Sequence, residues 1–254
     1  LGTSSVKIII IDEDGKVIAS LSKEYPVFYP EKGWAEQNPE DWWNATKEGI
    51  RELIEKNQID AKDIKSIGFS GQMHGLVTLD ENDKVLMPAI LWCDQRTSKE
   101  CEYITRTVGK DNLSKYTGNK ALTGFTAPKI LWVRKHRPDV YSKIRHILLP
   151  KDYIRFKLTG EYATDVSDAS GTLLFDVKNR VWSREMLNAL KISKDLLPKC
   201  YESSQVTGSV SEEAALGTDL KEGTLVVGGG GDQAVGAVGT GTVENGIISV
   251  AMGT

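Results

Sequence analysis

Between Thr224 and Gly241 the chain reads Thr-Leu-Val-Val-Gly-Gly-Gly-Gly-Asp-Gln-Ala-Val-Gly-Ala-Val-Gly-Thr-Gly, an apolar strand that runs through four glycines into a small-residue helix. One acid, Asp232, stands at the junction. Glycines let a backbone bend sharply and approach a bulky ligand, and a helix start offers unpaired N–H groups and partial positive charge to phosphate oxygens. A carboxylate delivered there stays ionised and points outward, a setting suited to phosphoryl transfer. The same letters also fit a flexible glycine turn with a solvated acid. Gly236, Gly239 and Gly241 prolong the small-residue pattern, which suits a helix packed tightly beneath a ligand better than a slack linker.

The chain opens on Leu1-Gly-Thr-Ser-Ser-Val-Lys-Ile-Ile-Ile-Ile and closes on Ile248-Ser-Val-Ala-Met-Gly-Thr254, so a Gly-Thr loop beside a β-branched strand occurs twice. Amides and hydroxyls of such loops can cradle a phosphate, and two facing loops would hold a triphosphate tail between them. A Gly-Thr pair near a strand is also common by chance. The missing initial Met and the ending inside a loop predict a fragment, short of a little at the front and a second unit at the back.

With 32 basic and 35 acidic residues, a formal net charge of -3 and 40% hydrophobic residues, the chain builds a core without attraction for nucleic acid or anionic membrane. Small partners are expected. No apolar run reaches the length of a membrane span. Three cysteines, Cys93, Cys101 and Cys200, without CxxC spacing suit reduced thiols of a cytoplasmic protein rather than a disulfide frame or a zinc site.

Along the chain, Val6–Ile11 and Lys16–Leu21 predict a hairpin turning at Gly15. Asn38-Pro39-Glu40-Asp41 predicts an N-cap, first-turn proline and acidic first turn for a helix reaching about Asn57. Trp43, Ile50, Leu53 and Ile54 share one face, so the Trp42-Trp43 pair is read as core, not as a sugar-stacking platform. Ile64–Ser70 has a buried-strand pattern and ends in Gly71-Gln72-Met73-His74-Gly75, a polar island before the strand Leu76–Leu79. Gln72 and His74 both donate and accept hydrogen bonds, as polyol recognition requires, although a core histidine satisfied by a carbonyl fits equally. Val85–Trp92 is a further strand, and the Arg96 that follows either neutralises a substrate or pairs with a surface acid. Helices are predicted over Glu100–Lys120, Ala127–His136 and Leu148–Thr159, and Ala163–Gly171 reads as a loop of Asx and Ser/Thr turns.

These segments together resemble the FGGY carbohydrate kinases. The resemblance rests on the hairpin after Leu-Gly-Thr-Ser, the Gly-Gln-Met-His-Gly loop, the strand ending at Trp92, and Gly124-Phe-Thr-Ala-Pro-Lys-Ile-Leu-Trp-Val-Arg-Lys-His136. Within the family, Gln72-Met73-His74, Leu148–Tyr153, Thr164–Gly171 and Gly229–Gln233 are most similar to bacterial xylulokinases. Glycerol kinases carry Arg-Glu where Met73 and His74 stand.

The resemblance implies an α/β fold of two actin-like or ribonuclease-H-like ATPase domains, each a mixed sheet flanked by helices. Residues 1–245 would be the sugar-binding domain and 246–254 the first strand of an ATP-binding one. It implies phosphorylation of D-xylulose to D-xylulose 5-phosphate with Mg2+ and ATP. Asp232 would be the catalytic base, with Gln72, Met73, His74, Trp92, Asp232 and Gln233 around the sugar. Gly2, Thr3 and Ser4, and from the other domain Gly253 and Thr254, would approach the phosphates. No metal-ligating protein residue is assigned, and a homodimer is one option for the full-length protein. The family's Asp before the first loop is absent here, Gln233 replaces a frequent Asn, and Ala251-Met252 replaces Ser-Leu. The alternatives are another FGGY kinase, of gluconokinase or ribulokinase type, or a non-catalytic actin-like sugar-binding module, against which the retained Asp232 argues.

Overall fold

The computed structural model describes residues 1–250. The hairpin forms as expected, Ser5–Ile11 antiparallel to Val17–Glu24, with the Asp12 carboxylate accepting from the Asp14 and Lys16 amides across its turn. Asn38 caps the helix Pro39–Lys56 by accepting from the Glu40 amide at 3.2 Å. Trp42 and Trp43 are both buried, and the Trp42 indole donates to Gln37 Oε1 at 3.1 Å, so the pair belongs to the core.

The predicted strand 64–70 is interrupted. Ser66–Ile67 runs parallel to Leu225–Val226, Ser70–Gly71 runs parallel to Gly230–Gly231, and Gly68-Phe69 separates the two pieces. The break is imposed from across the sheet: Gly229 takes φ 72, and a Cβ on it would lie 2.7 Å from the Phe69 carbonyl oxygen. Only glycine permits that approach. Leu1 flanks the other side, its nitrogen donating to the Ser70 carbonyl at 2.5 Å and its carbonyl accepting from the Gln72 amide at 2.8 Å.

Of the predicted strand 85–92, only Ala89–Ile90 is regular, paired with Glu36–Gln37. The helical region after residue 97 divides at Gly109 into Ser98–Val108 and Lys110–Thr117, while Thr126–His136 and Pro150–Thr159 form nearly as read. Ala163–Gly171 differs from the expected loop. Ala163–Asp165 is a strand parallel to Lys199–Tyr201, and Val166–Ala169 is a helical turn capped by the Asp165 carboxylate.

The apolar residues divide into two cores separated by a wall of strands. Leu76, Ile90 and Ile147 face a core built by the helices Ser98–Val108, Thr126–His136 and Arg184–Leu190. Val77, Leu79, Ala89, Leu91 and Leu148 face the other, beneath the hairpin and the helices Pro39–Lys56 and Pro150–Thr159. Strands covered on both faces read as continuous apolar runs, which is why alternation is weak there.

Beside this wall lies a charge cluster. Lys151 Nζ stands 2.5 Å from Asp152, 3.0 Å from Asp165 and 3.5 Å from Asp168, and all four side chains are shielded from solvent. Burial pulls the ammonium pKa down, but the three acids outweigh it and the net shift is upward. Asp165 is pushed up by burial and brought below its ordinary value by Lys151 and by hydrogen bonds from Ser167, Lys151 and Ser203. Asp168 goes the other way: burial and its two carboxylate neighbours raise it well above the ordinary range, and neither oxygen has a hydrogen-bond partner among the described residues. The cluster is therefore the ion pair of Lys151 with Asp165, beside Asp152 and Asp168, two carboxyls whose neutral form burial favours.

Two outcomes follow for denaturant unfolding. Lys151→Met strands the remaining carboxylates and costs about 3–5 kcal/mol. For Asp168 the folded pKa exceeds the unfolded one, so the native acid loses stability as pH rises above about 4. Asp168→Asn removes that loss. It is near neutral at about pH 4 and increasingly stabilising toward neutral pH; destabilisation that grows with pH would contradict the upward shift of Asp168.

Candidate functional site

The bend at Gly228-Gly229 delivers Gly230–Gly231 to the sheet and Asp232 to the first position of the helix Asp232–Gly239. The Asp232 side chain is exposed, and Oδ1 accepts from the Gln233 amide at 2.8 Å. The helix buries none of its residues, and a Cβ at Gly236 or Gly239 would meet nothing within 4 Å, so the tight packing expected of this stretch is not present among the described residues. Asp232 is therefore placed by the residues before it. Gly231 pairs with Gly71, donates its amide to Ser167 Oγ at 3.0 Å, and faces Met73 so closely that a Cβ would lie 2.7 Å from the thioether sulfur.

Met73 belongs to the polar loop, which is thereby joined to the residue preceding the acid. The next residue, His74, adopts φ 68, a left-handed conformation costing a non-glycine residue about 1–2 kcal/mol. Its carbonyl is held by two donors, Thr126 Oγ1 at 3.1 Å and Lys129 Nζ at 2.8 Å. Its ring Nδ1 lies 2.8 Å from the Gly171 carbonyl. A carbonyl only accepts, so Nδ1 carries the proton and Nε2 is left as an acceptor. Burial drives the His74 pKa down to about 4 against the Gly171 hydrogen bond, and the ring is neutral near pH 7. Lys129 is fully buried, spans the His74 and Gly124 carbonyls, and is lowered by burial to about 7.

The loop at residues 1–4 lies against the same segment. The Gly2 carbonyl accepts from Tyr25 Oη at 2.6 Å and Gln72 Nε2 at 3.2 Å, and the Thr3 carbonyl from Gln37 Nε2 at 2.7 Å. Thr3 Oγ1 accepts from the Trp92 indole at 3.0 Å. With the carbonyls turned inward, the Thr3 and Ser4 amides and the Ser4 hydroxyl have no hydrogen-bond partner among the described residues. That edge suits an anion.

Of the candidate residues, Asp232, Gln233 and Trp92 present exposed surface, and Met73 and His74 are partly buried at the loop. Gln72 is buried and directed at Gly2 and Gln37. Gly253 and Thr254 lie outside the described residues. Arg96 takes an acid as its partner, though a buried one: it grips Asp94 at 2.7–3.0 Å, reaches Glu36 at 2.8 Å and stacks 3.7 Å over Trp34. Ser167, Lys129 and Lys151 were not foreseen. Lys129, set in the apolar run Ala127–Val133, was the one visible in the letters. Among the described residues no group of three His, Cys, Asp or Glu side chains is arranged to hold a metal ion, and no helix is long and apolar enough to cross a membrane.

The ring geometry has a measurable consequence. Nitrogen chemical shifts should show the Nδ1–H tautomer of His74 persisting at neutral pH and titrating near pH 4. Because the folded pKa is depressed, the stability this group contributes is present above 6.5 and lost as pH falls through about 4. Titration near 6.5 would show a solvated ring.

Residues 1–239 match the family model for the FGGY family of carbohydrate kinases, N-terminal domain. The chain is 46% identical over its whole length to a xylulose kinase of Bacillus subtilis (strain 168) and 43% identical to one of Escherichia coli (strain K12), in each case covering 51% of the relative. It superposes on the crystal structure of xylulose kinase from Rhodospirillum rubrum with a TM-score of 0.91 at 28% identity, over 96% of this chain and 50% of that one. The chain thus spans about half the length of the relatives it matches, and its α/β architecture is the actin-like, ribonuclease-H-like fold. It belongs to the FGGY family of carbohydrate kinases.

Proposed function

We propose that this chain is the sugar-binding, base-carrying half of an ATP-dependent xylulokinase that converts D-xylulose to D-xylulose 5-phosphate. Residues 1–245 form its N-terminal domain, and 246–254 lead into a second, ATP-binding domain. The observation that carries this reading is the contact of Met73 with Gly231, which sets a polyol-recognition loop directly beside the residue before an exposed helix-initial carboxylate. Similarity to xylulose kinases over the whole chain supports the choice of ketose.

In this mechanism His74 Nε2 accepts from a sugar hydroxyl, Met73 offers an apolar surface, and Trp92 and Gln233 line the open side. Gln72 acts from behind, holding the loop at Gly2. Asp232 takes the proton of the 5-hydroxyl as that oxygen forms its bond to the γ-phosphorus. The bond from the γ-phosphorus to the bridging oxygen breaks, and ADP leaves with the electron pair. Such a transfer asks the protein chiefly for alignment and charge neutralisation, so a weak carboxylate base suffices.

The free amides of Thr3 and Ser4, with Gly2, face the phosphates; Gly253 and Thr254, the other phosphate-binding candidates, lie outside the described residues. Mg2+, which typically keeps phosphate oxygens and water among its ligands, neutralises triphosphate charge when bound and needs no protein cage of several acids. ATP use and the three free thiols support a cytoplasmic setting for the working enzyme, and a homodimer is one option for the full-length protein.

In the full-length protein, Asp232→Asn lowers turnover about 10²–10⁴-fold while sugar binding persists. A fall of less than about tenfold with binding intact returns Asp232 to a solvated loop acid. Residues 1–254 alone release no ADP from ATP and D-xylulose, because half a cleft neither excludes water nor completes alignment. Sustained turnover by that half would defeat the two-domain reading.

A further inference from the structure

The helix that begins at Asp232 buries none of its residues and meets the sheet through Val235 over Gly230, so the acid is located chiefly by the residue before it. That residue is Gly231. Sheet pairing with Gly71 fixes one side of that glycine and the Met73 thioether a second, while its amide proton points at Ser167 Oγ, 3.0 Å away.

A serine hydroxyl has one proton to give and lone pairs to receive. Here the proton goes to Asp165 Oδ2 at 2.6 Å, which turns a lone pair of Ser167 toward Gly231. Asp165 is itself held at both oxygens. Its Oδ2 also accepts from the Ser167 amide at 2.8 Å and from Ser203 Oγ at 2.8 Å, and its Oδ1 lies 3.0 Å from the buried Lys151 ammonium. An ionised acceptor strengthens the hydroxyl's donation, and chains of hydrogen bonds polarise one another in a dry interior.

We propose that Ser167 is a positioning residue for phosphoryl transfer, a latch that runs from Asp165 through its hydroxyl to the Gly231 amide and holds the Asp232 carboxylate in line with the attacking hydroxyl. It touches neither substrate nor the reacting atoms. It rests on the reading of Asp232 as the base. Losing the latch leaves the sugar loop anchored through His74 and Lys129, so binding is spared while alignment suffers; a misplacement of 1 Å costs about a hundredfold in rate.

The test is steady-state kinetics with D-xylulose and ATP on the full-length protein. Ser167→Ala should lower kcat about ten- to a hundredfold with KM for the ketose within about twofold, and Ser167→Thr, which keeps the hydroxyl, should restore most of the rate. Ser203→Ala removes the other hydroxyl on the same Asp165 oxygen without freeing Gly231, and should change kcat less than about twofold. In an Asp232→Asn background, Ser167→Ala should add no further loss, because both act through one carboxylate. The latch is overturned if Ser167→Ala leaves kcat within about twofold of the parent, if Ser203→Ala costs as much, or if the two losses multiply. An Asp232→Asn protein that keeps its turnover would instead sink the base assignment, whatever Ser167 does.

Discussion

The contact between Lys151 and Asp165, 3.0 Å apart with both side chains shielded from water, is the constraint on which the site depends. A buried ion pair of this kind adds little net stability, since desolvation consumes most of the Coulomb gain. Its effect is positional. Apolar side chains would fill the same volume, but they would not hold a carboxylate where the hydroxyls of Ser167 and Ser203 converge on it. Lys151 also packs against the sheet, where a Cβ on Gly71 would lie 2.7 Å from its own Cβ. One residue therefore touches both the strand that ends in the loop Gln72–His74 and the acid that orients the residues before Asp232.

The two sides of the site share a construction rule. On each, the backbone group beside a candidate residue is gripped from the protein side, which leaves the opposite face free. The His74 carbonyl is held by Lys129 and Thr126, with the ring proton committed to Gly171 and Nε2 open. The Gly231 amide is held by Ser167, with the following carboxylate open. The carbonyls of Gly2 and Thr3 are likewise occupied by Tyr25, Gln72 and Gln37, which turns free amides outward. Anchors of this kind position groups before a substrate arrives, and electrostatic catalysis requires that kind of preorganisation.

What the sequence made legible was whatever its own neighbours decide. Asn38 capping its helix, the hairpin turn and Asp232 at a helix start all depend on a few adjacent residues. The break at Gly68-Phe69 was not legible, because its cause is Gly229 on another strand. Ala163–Gly171 read as local turns for a similar reason: Asp165 does cap its own helical turn, but the partner that fixes it, Lys151, comes from a separate element. Lys129 stands out in the letters as one charge within an apolar run, but its burial is set by what surrounds the helix. Thr126–Val133 is buried on every side, and a helix with no polar face leaves its lysine no route to water. Arg96 was left open between substrate and acid, and its stacking on Trp34 between Asp94 and Glu36 was beyond anything spacing conveys.

One buried scaffold holds the loop Gln72–His74 and the residue before Asp232, and in the proposed function these form facing sides of a single small site. A crystal structure of the full-length protein with D-xylulose and a non-hydrolysable nucleotide tests it most directly. An Asp232 oxygen should lie within about 3.2 Å of the sugar 5-hydroxyl, with His74 Nε2 hydrogen-bonded to another hydroxyl of the same molecule and Ser167 still bonded to the Gly231 amide. Sugar bound away from the Met73–Gly231 contact, with Asp232 in solvent, would contradict it.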